Sequence, residues 1–183
     1  MDLLNHQIDN TLIKIVLNSV QDGDLSVIKQ NVLKFNLNMN LLIEKDNNQN
    51  AFFFMALVKN DSDALNICKY LVELEVNPAH KDKHNQTCLY YTVREGKYLT
   101  SKYLIEECNI PINEKDIYGQ HPLYYACREG HLNVCKYLVE KGSDINLKAK
   151  QIYIKQKKIK TIYNILYKKY PTIKYNKQEN NKK

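Results

Sequence analysis

Five cysteines and five histidines are the residues of this 183-residue chain whose types could ligate a metal ion. Zinc sites in proteins usually take closely spaced ligands, such as two cysteines separated by two residues or two histidines on one helix face. The chain contains no C-x-x-C, and His80 and His84 fall in a segment that is predicted to be a loop. We therefore expect neither a metal site nor a cofactor.

The residue patterns of the common enzyme classes are also missing. The chain has no G-x-x-x-x-G-K-[ST], G-x-G-x-x-G, H-E-x-x-H or G-x-S-x-G motif. Glu95 and Glu129 are candidates for acid–base chemistry, but they occupy matching places 34 residues apart. An active site is a unique constellation rather than a repeated one, so we interpret both glutamates as surface positions and predict that the chain is not an enzyme.

Two blocks of sequence recur with a period of 33 or 34 residues. The block K-Y-L-[VI]-E stands at 69–73, 102–106 and 136–140, and L-Y-Y-x-x-R-E-G stands at 89–96 and 123–130. Such a period indicates a stack of similar units, none of which buries its apolar face alone. Pro122 suits the start of a first helix, Gly130 its end, and Gly142 the end of a second helix. Each unit is thus predicted to be a helix, a turn, a second helix and an extended loop.

These blocks resemble the ankyrin-repeat family, whose unit runs roughly D-x-x-G-x-T-P-L-H-x-A-A-x-x-G-H-x-x-V-V-x-x-L-L-x-x-G-A-D-x-N. The unit that begins at Asp116 keeps most of the pattern: Gly119, Pro122, Leu123, Ala126, Gly130, His131, Val134, Leu138, Gly142 and Asn146. Other units begin near residues 9, 46 and 82, and the second one has an altered inter-helix turn, Asn60–Asp63, that we interpret as two residues longer. The resemblance implies an all-α solenoid of helix–turn–helix units with β-hairpin loops, about four repeats in residues 1–146.

In this family the binding surface usually comprises the hairpin tips and the exposed ends of the first helices. The resemblance places these predicted partner-binding residues in three repeats: Ile117, Tyr118, Gln120, Arg128 and Glu129; Lys83, His84, Gln86, Arg94 and Glu95; Asn47, Asn48, Asn50, Val58 and Lys59. Tyr118 and the two arginines are the best anchors, because Tyr and Arg dominate interface hot spots. An alternative is that the two Arg-Glu pairs are only solvated helix ends.

Repeated tyrosines and cysteines have a structural interpretation. We expect Tyr90, Tyr91, Tyr124 and Tyr125 to pack between repeats with their hydroxyls at the rim, in preference to forming a stacking platform. Cys68 and Cys135 occupy the same place in the second helix of their units, and Cys127 replaces a core alanine. Buried free cysteine behaves as a small apolar residue.

The net charge of +7 is unevenly distributed. Residues 1–146 hold 15 Lys and Arg against 19 Asp and Glu, a balance of −4, whereas residues 147–183 hold 12 Lys against one Glu, a balance of +11. Ile159, Ile162, Tyr163, Leu166 and Tyr170 follow helical spacing, so residues 147–171 are predicted to be basic amphipathic capping helices. Residues 172–183 are predicted to be disordered. Alternatives for this basic segment are an import signal at 155–160 or a helix that binds nucleic acid or an anionic membrane.

The function expected from the resemblance is a non-enzymatic scaffold or adaptor that binds an unknown protein partner through the concave ankyrin surface. The alternatives are that the basic tail binds nucleic acid or membrane, or that the chain targets or regulates a separate enzyme. We expect a monomer. An odd number of cysteines, a non-basic N-terminus and the lack of a long apolar run favour the cytoplasm or the nucleus.

Overall fold

A computed structural model describes residues 10–145, 162, 164–166 and 168–169. The named α-helices of the described part are α1 Asn10–Asp22, α2 Leu25–Phe35, α3 Ala51–Met55, α4 Asp61–Glu73, α5 Cys88–Arg94, α6 Tyr98–Glu106, α7 Pro122–Glu129 and α8 Leu132–Glu140, together with a 3-10 helix at Met39–Leu41. No helix among these residues is long and apolar enough to cross a bilayer.

The helices form two layers. Helices α1, α3, α5 and α7 pack against one another in one layer, and α2, α4, α6 and α8 pack in the other. Between the layers lies one apolar core to which every repeat contributes, for example Leu17, Phe52, Leu71, Leu104 and Leu138. The predicted all-α repeat solenoid is confirmed by this arrangement.

Local sequence signals place the helix ends. The side chain of Asp24 accepts hydrogen bonds from the backbone N–H groups of Ser26 and Val27 and so caps the start of α2. Pro122 opens α7, where its missing N–H has no helical partner in any case. Gly130 ends α7 with a φ of 95°, a left-handed conformation that costs glycine little.

The loops between the described repeats are hairpin turns without the extended strands of a regular β-hairpin. Asp82 N–H donates to Gln86 C=O and Asp116 N–H to Gln120 C=O, both at 2.9 Å. A full two-way backbone bridge joins Glu44 and Gln49, and none of the described residues forms an extended strand. Each loop is therefore a hydrogen-bonded hairpin turn, referred to below as a hairpin tip.

The second repeat departs from its predicted register. Asn48 and Asn85 both adopt left-handed backbone with φ of 57° and 59°, which aligns the two hairpin tips with a shift of one residue from the sequence alignment. Residues 61–63, interpreted above as part of a longer turn, form the first turn of α4. Asn60 caps that helix, which has 13 residues against nine in α6. Helix α4 is thus longer than α6, and the connection before it, residues 56–60, is also longer than the equivalent connection 95–97.

The ends of the chain are partly described. The first repeat is a helix pair that starts at Asn10, and Asp9 lies outside the described residues. Ile162 and Leu166 are helical, 7% and 0% exposed, and belong to the apolar core. Their burial agrees with the predicted cap at 147–171, although the division into a cap and a tail stays a prediction. Residues 172–183 lie outside the described part.

Candidate protein-interaction surface

The hairpin tips of three successive repeats are joined by backbone hydrogen bonds. Lys83 N–H donates to Asn47 C=O at 2.9 Å, and Ile117 N–H donates to His84 C=O at 3.0 Å. The tips therefore form one continuous row along the stack. Because each tip is held by its neighbour, the row is a preorganised surface rather than a set of independent loops.

Asparagine side chains add a second link between neighbouring tips. Asn48 Nδ2 donates to Lys81 C=O and Asn85 Nδ2 donates to Lys115 C=O, both at 2.9 Å. In the fourth repeat the equivalent position is Gly119, with a φ of 72°. This position of each hairpin has a left-handed backbone, which glycine and asparagine tolerate better than other residues. Asparagine also supplies a side-chain hydrogen bond to the next repeat.

Behind the tips, a glutamine of each hairpin bonds a tyrosine of the following repeat. Gln49 Nε2 donates to Tyr91 Oη at 2.8 Å, and Gln86 Nε2 donates to Tyr125 Oη at 3.0 Å. The two bonds are equivalent, one repeat apart. They fix the tyrosine rings between repeats, as the sequence predicted, but the Tyr125 hydroxyl bonds buried Gln86 and Asp116 and so lies inside the stack rather than at the rim.

Two buried aspartates complete this network. Asp82 Oδ2 accepts from Tyr91 Oη at 2.7 Å, and Asp116 Oδ2 accepts from Tyr125 Oη at 2.6 Å. The Oδ1 atom of each accepts two backbone N–H groups of its own hairpin at 2.8–2.9 Å. Burial, reinforced by the hydrogen bond to the aspartate, raises the pKa of both tyrosines well above the usual range. Their hydroxyls therefore stay protonated as donors.

Arg94 lies on this network at the edge that faces solvent. Its Cζ is 4.7 Å from the ring centroid of Tyr91 and 4.9 Å from that of Tyr125, and Nη2 donates to Gln86 Oε1 at 3.1 Å. Arg128 also stacks on Tyr125, at 4.9 Å, and forms an ion pair with neighbouring Glu129 at 2.7 Å. Rings and guanidinium groups thus alternate along the stack.

The most exposed apolar side chains of the tips are in the fourth repeat. Ile117 and Tyr118 are 59% and 54% exposed. The Tyr118 ring stacks on the His84 ring with centroids 5.8 Å apart, and Tyr118 Oη lies 3.4 Å from His84 Nδ1. A large aromatic side chain is therefore held in place at the surface, where it can contact another molecule at a low cost in side-chain entropy.

A model of the family described as ankyrin repeats (3 copies) matches residues 54–149, slightly more than half of the chain. The chain belongs to the ankyrin-repeat family. Many solved structures have a similar fold. One is a chain in the crystal structure of the yeast ribosomal protein Rps3 in complex with its chaperone Yar1. It has a TM-score of 0.66 and 17% identity, over 76% of this chain and 98% of that one. No curated protein matches the chain.

Ankyrin repeats form a protein-interaction fold, so this chain carries a protein-interaction scaffold in the general sense. The predicted contact residues of the scaffold differ in their exposure to solvent. These are exposed or partly exposed: Ile117, Tyr118, Gln120, Arg128, Glu129, Lys83, His84, Arg94, Glu95, Asn47, Asn48 and Lys59. The exposed or partly exposed residues of the tips 44–48, 81–85 and 114–118, with Arg94, Glu95, Arg128 and Glu129, are called the inner surface below.

Three predicted contact residues are buried and cannot contribute contact area. Gln86 is 3% exposed because it bonds the tyrosine and aspartate of the next repeat, and Asn50 is 2% exposed. Asn50 caps α3 and donates to Asn77 C=O at 2.8 Å. Val58 is also buried. Their assignment to the binding surface is therefore wrong, and their roles are internal.

The shifted register also changes the second repeat's part of the surface. Gln49 is not among the residues predicted from the sequence, but it occupies the position that is assigned there to Asn50 and is equivalent to Gln86. Exposed Leu57 takes the place of Arg94, and Lys59 precedes the cap of α4, where its C=O accepts from Lys97 Nζ at 2.7 Å. The recurring glutamine one residue before each first-helix cap is the signal that identifies this register.

No group of three or more metal-ligating side chains occurs within the part of the chain that the structure describes. None of the five cysteines forms a disulfide, and four of them are buried. Burial raises the pKa of the Cys68 and Cys88 thiols far above the usual range. Both are therefore unreactive core residues at neutral pH.

Proposed function

We propose that this ankyrin-repeat protein binds a partner protein through its inner surface. The observation that carries the proposal is the continuous row of tips, which is hydrogen-bonded from repeat to repeat and presents exposed Tyr118, held by His84, while Arg94 and Arg128 are held on the tyrosines behind the row. Tyr and Arg are the residue types most often found at interface hot spots. A rigid surface that carries them binds with little loss of conformational entropy.

The experiment is affinity capture from cells of the source organism, followed by mass spectrometry. The bait is the full-length chain, compared with the double variant Tyr118→Ala/Arg128→Ala. The matched control is Leu99→Ala/Lys102→Ala, which removes an exposed apolar residue and a cation from α6 in the other layer. We expect the inner-surface variant to lose the partner, the control to keep it, and both to melt at the temperature of the unmodified chain. A partner captured equally by all three baits would contradict the proposal.

The lysine-rich segment 147–183 supports a different candidate on charge alone, as a ligand for nucleic acid or an anionic membrane. Binding driven by phosphates weakens steeply as salt increases. Binding through the inner surface depends more on apolar and aromatic contact and should weaken less. A salt titration of the captured complex therefore separates the two candidates.

A further inference from the structure

We propose that the inner surface recognises an acidic protein segment, one of whose carboxylates is bound by Arg94. This inference rests on the proposed function and specifies the chemistry of the partner. It is carried by the charge of Arg94, which is unpaired among the described residues, by the charges of the inner surface and by the exposed apolar side chains of its fourth-repeat tip.

The guanidinium of Arg94 is ordered but not neutralised by a neighbouring carboxylate. A guanidinium has five N–H donors, and the structure gives this one a single side-chain hydrogen bond, from Nη2 to the neutral amide of Gln86. Nε is buried without a partner among the described residues, so the remaining Nη donors are the ones offered to a ligand. None of the ion pairs among the described residues includes Arg94. Tyr91 and Tyr125 hold the group from two sides. An ordered guanidinium with free donors matches the geometry of a carboxylate, which it can bind in bidentate fashion.

The nearest acidic residues of the network are already occupied. Asp82 and Asp116 are buried, and their oxygens accept from backbone N–H groups and from tyrosine and glutamine side chains. Asp116 is connected to Arg94 through Gln86, which donates to Asp116 Oδ2 at 2.7 Å, and through Tyr125, which donates to the same oxygen and carries Arg94 on its ring. These bonds fix the position of Arg94 while leaving its outer donors for a ligand.

The inner surface has more positive than negative side chains, although residues 1–146 as a whole have a net negative charge. Its charges that are exposed or partly exposed are six cations and five carboxylates: Lys45, Lys81, Lys83, Arg94, Lys115 and Arg128; Glu44, Asp46, Glu95, Glu114 and Glu129. Two ion pairs neutralise four of these charges: Lys81 pairs with Glu114, and Arg128 pairs with Glu129. Four cations then face Asp46, Glu95 and Glu44, and the Glu44 oxygens already accept from Asp46 and Asn47 N–H; residues 1–146 as a whole have 15 Lys and Arg against 19 Asp and Glu. Charge complementarity therefore favours an acidic segment at this surface.

Carboxylates fit this surface better than a chain of phosphates does. Asp46, Glu95 and Glu129 lie among the cations and would repel a polyanion that runs along the row. Ile117 and Tyr118 offer apolar contact in the same row, which an acidic segment with interspersed apolar residues can use. The occupant we infer is thus a peptide segment that mixes acidic and apolar side chains.

The test is a selection of peptides from an unbiased library of random 12-residue sequences displayed on phage, with the full-length chain as bait at physiological salt. The enriched sequences are synthesised, and their affinity is measured by fluorescence anisotropy for the unmodified chain, Arg94→Gln, Arg94→Lys and the outer-layer control Lys102→Gln. We expect enriched peptides with net negative charge, whose affinity falls about tenfold or more for Arg94→Gln, less for Arg94→Lys, and remains unchanged for Lys102→Gln. Replacing the peptide's acidic residues by their amides should abolish the difference between the unmodified chain and Arg94→Gln.

Other outcomes overturn the inference. Enriched peptides that are neutral or basic, or no enrichment at all, would do so. Acidic peptides that bind Arg94→Gln as tightly as the unmodified chain would also contradict it, because their binding site would then lie outside Arg94, for example at the lysines of 147–183. A single-stranded RNA probe whose binding depends on Arg94 would assign the surface to nucleic acid instead. Neutral peptides that lose affinity for Tyr118→Ala would refute the acidic partner while leaving the proposed function intact. The melting temperature of each variant shows that it is folded.

Discussion

Leu99 N–H donates to Asp61 Oδ2 at 2.7 Å, so a carboxylate of the second repeat caps a helix of the third. Thr100 N–H and Oγ1 donate to Asp61 Oδ1 at 3.2 and 2.7 Å. Helix α6 has no side-chain cap of its own, because its N-cap position is Lys97. The additional turn of α4 thus begins with the residue that satisfies the start of the next repeat's helix.

Replacing Asp61 by alanine should destabilise the protein by about 1–2 kcal/mol, because two backbone N–H groups and a hydroxyl lose their acceptor. Urea unfolding followed by circular dichroism measures the change in the free energy of unfolding. The matched control is Asp63→Ala, which removes an acidic residue from the same turn of α4 and should cost at most about 0.5 kcal/mol. Equal losses for the two variants would show that the inter-repeat cap contributes nothing.

Gly96 and Gly119 provide a matched pair for the packing between repeats. Both have left-handed backbone, with φ of 70° and 72°. A Cβ at Gly96 would lie 2.5 Å from His131 Nδ1, whereas a Cβ at Gly119 would meet nothing within 4 Å. The His131 ring cannot move freely, because its Nε2 is 2.8 Å from Arg94 C=O.

We therefore expect Gly119→Ala to lose about 1–2 kcal/mol from backbone strain alone. Gly96→Ala should lose at least about 1 kcal/mol more, because the new methyl group displaces His131. Denaturant unfolding of both variants measures the two losses. If they are the same, the close approach of His131 does not constrain this position.

Much of this architecture could be predicted from the sequence, because it depends on features that recur. The period of the K-Y-L-[VI]-E blocks, the glycines at helix ends and Pro122 give the helix pairs and their order. Each recurring sequence block therefore corresponds to a recurring helix pair.

The second repeat could not be predicted in the same way, because different residues perform the same role there. Glu44, not Asp46, accepts the backbone N–H groups of its hairpin: Asp46 N–H at 2.7 Å and Asn47 N–H at 2.9 Å. A longer acidic side chain spans a hairpin that is one residue longer, and sequence matching selects the nearby aspartate. Likewise, the burial of Gln86 depends on Tyr125 and Asp116, which are far from it in sequence and identifiable only once the repeats are stacked.

His121 gives the folded protein a specific sensitivity to acid. It is buried, and its Nδ1 has no hydrogen-bond partner among the described residues. Burial lowers the pKa of His121 below its usual 6.5, and the opposing effect of Asp144 is smaller. The unfolded chain therefore binds this proton more readily than the folded one, and its contribution to stability is present above pH 6.5 and is lost as pH falls through the folded-state pKa.

The prediction is that stability falls more steeply below pH 6.5 in the unmodified chain than in His121→Asn, which cannot take up a proton. Urea unfolding at a series of pH values from about 7.5 to 5 gives the two slopes. The control is His84→Asn, a histidine at the surface of a hairpin tip. Parallel slopes for the unmodified chain and His121→Asn would assign the acid sensitivity to carboxylates instead.

The predicted C-terminal cap can be tested at two adjacent residues. Leu166 is fully buried and belongs to the core, whereas Ile165 is 38% exposed. If residues 147–171 cover the last repeat, Leu166→Ala should cost about 2–5 kcal/mol, as is usual when a large apolar residue is removed from a core. Ile165→Ala should cost well under half of that. Thermal and urea unfolding of the full-length variants measures both losses. Small and equal losses would mean that this segment does not stabilise the stack, and its lysines would then belong to a separate binding element.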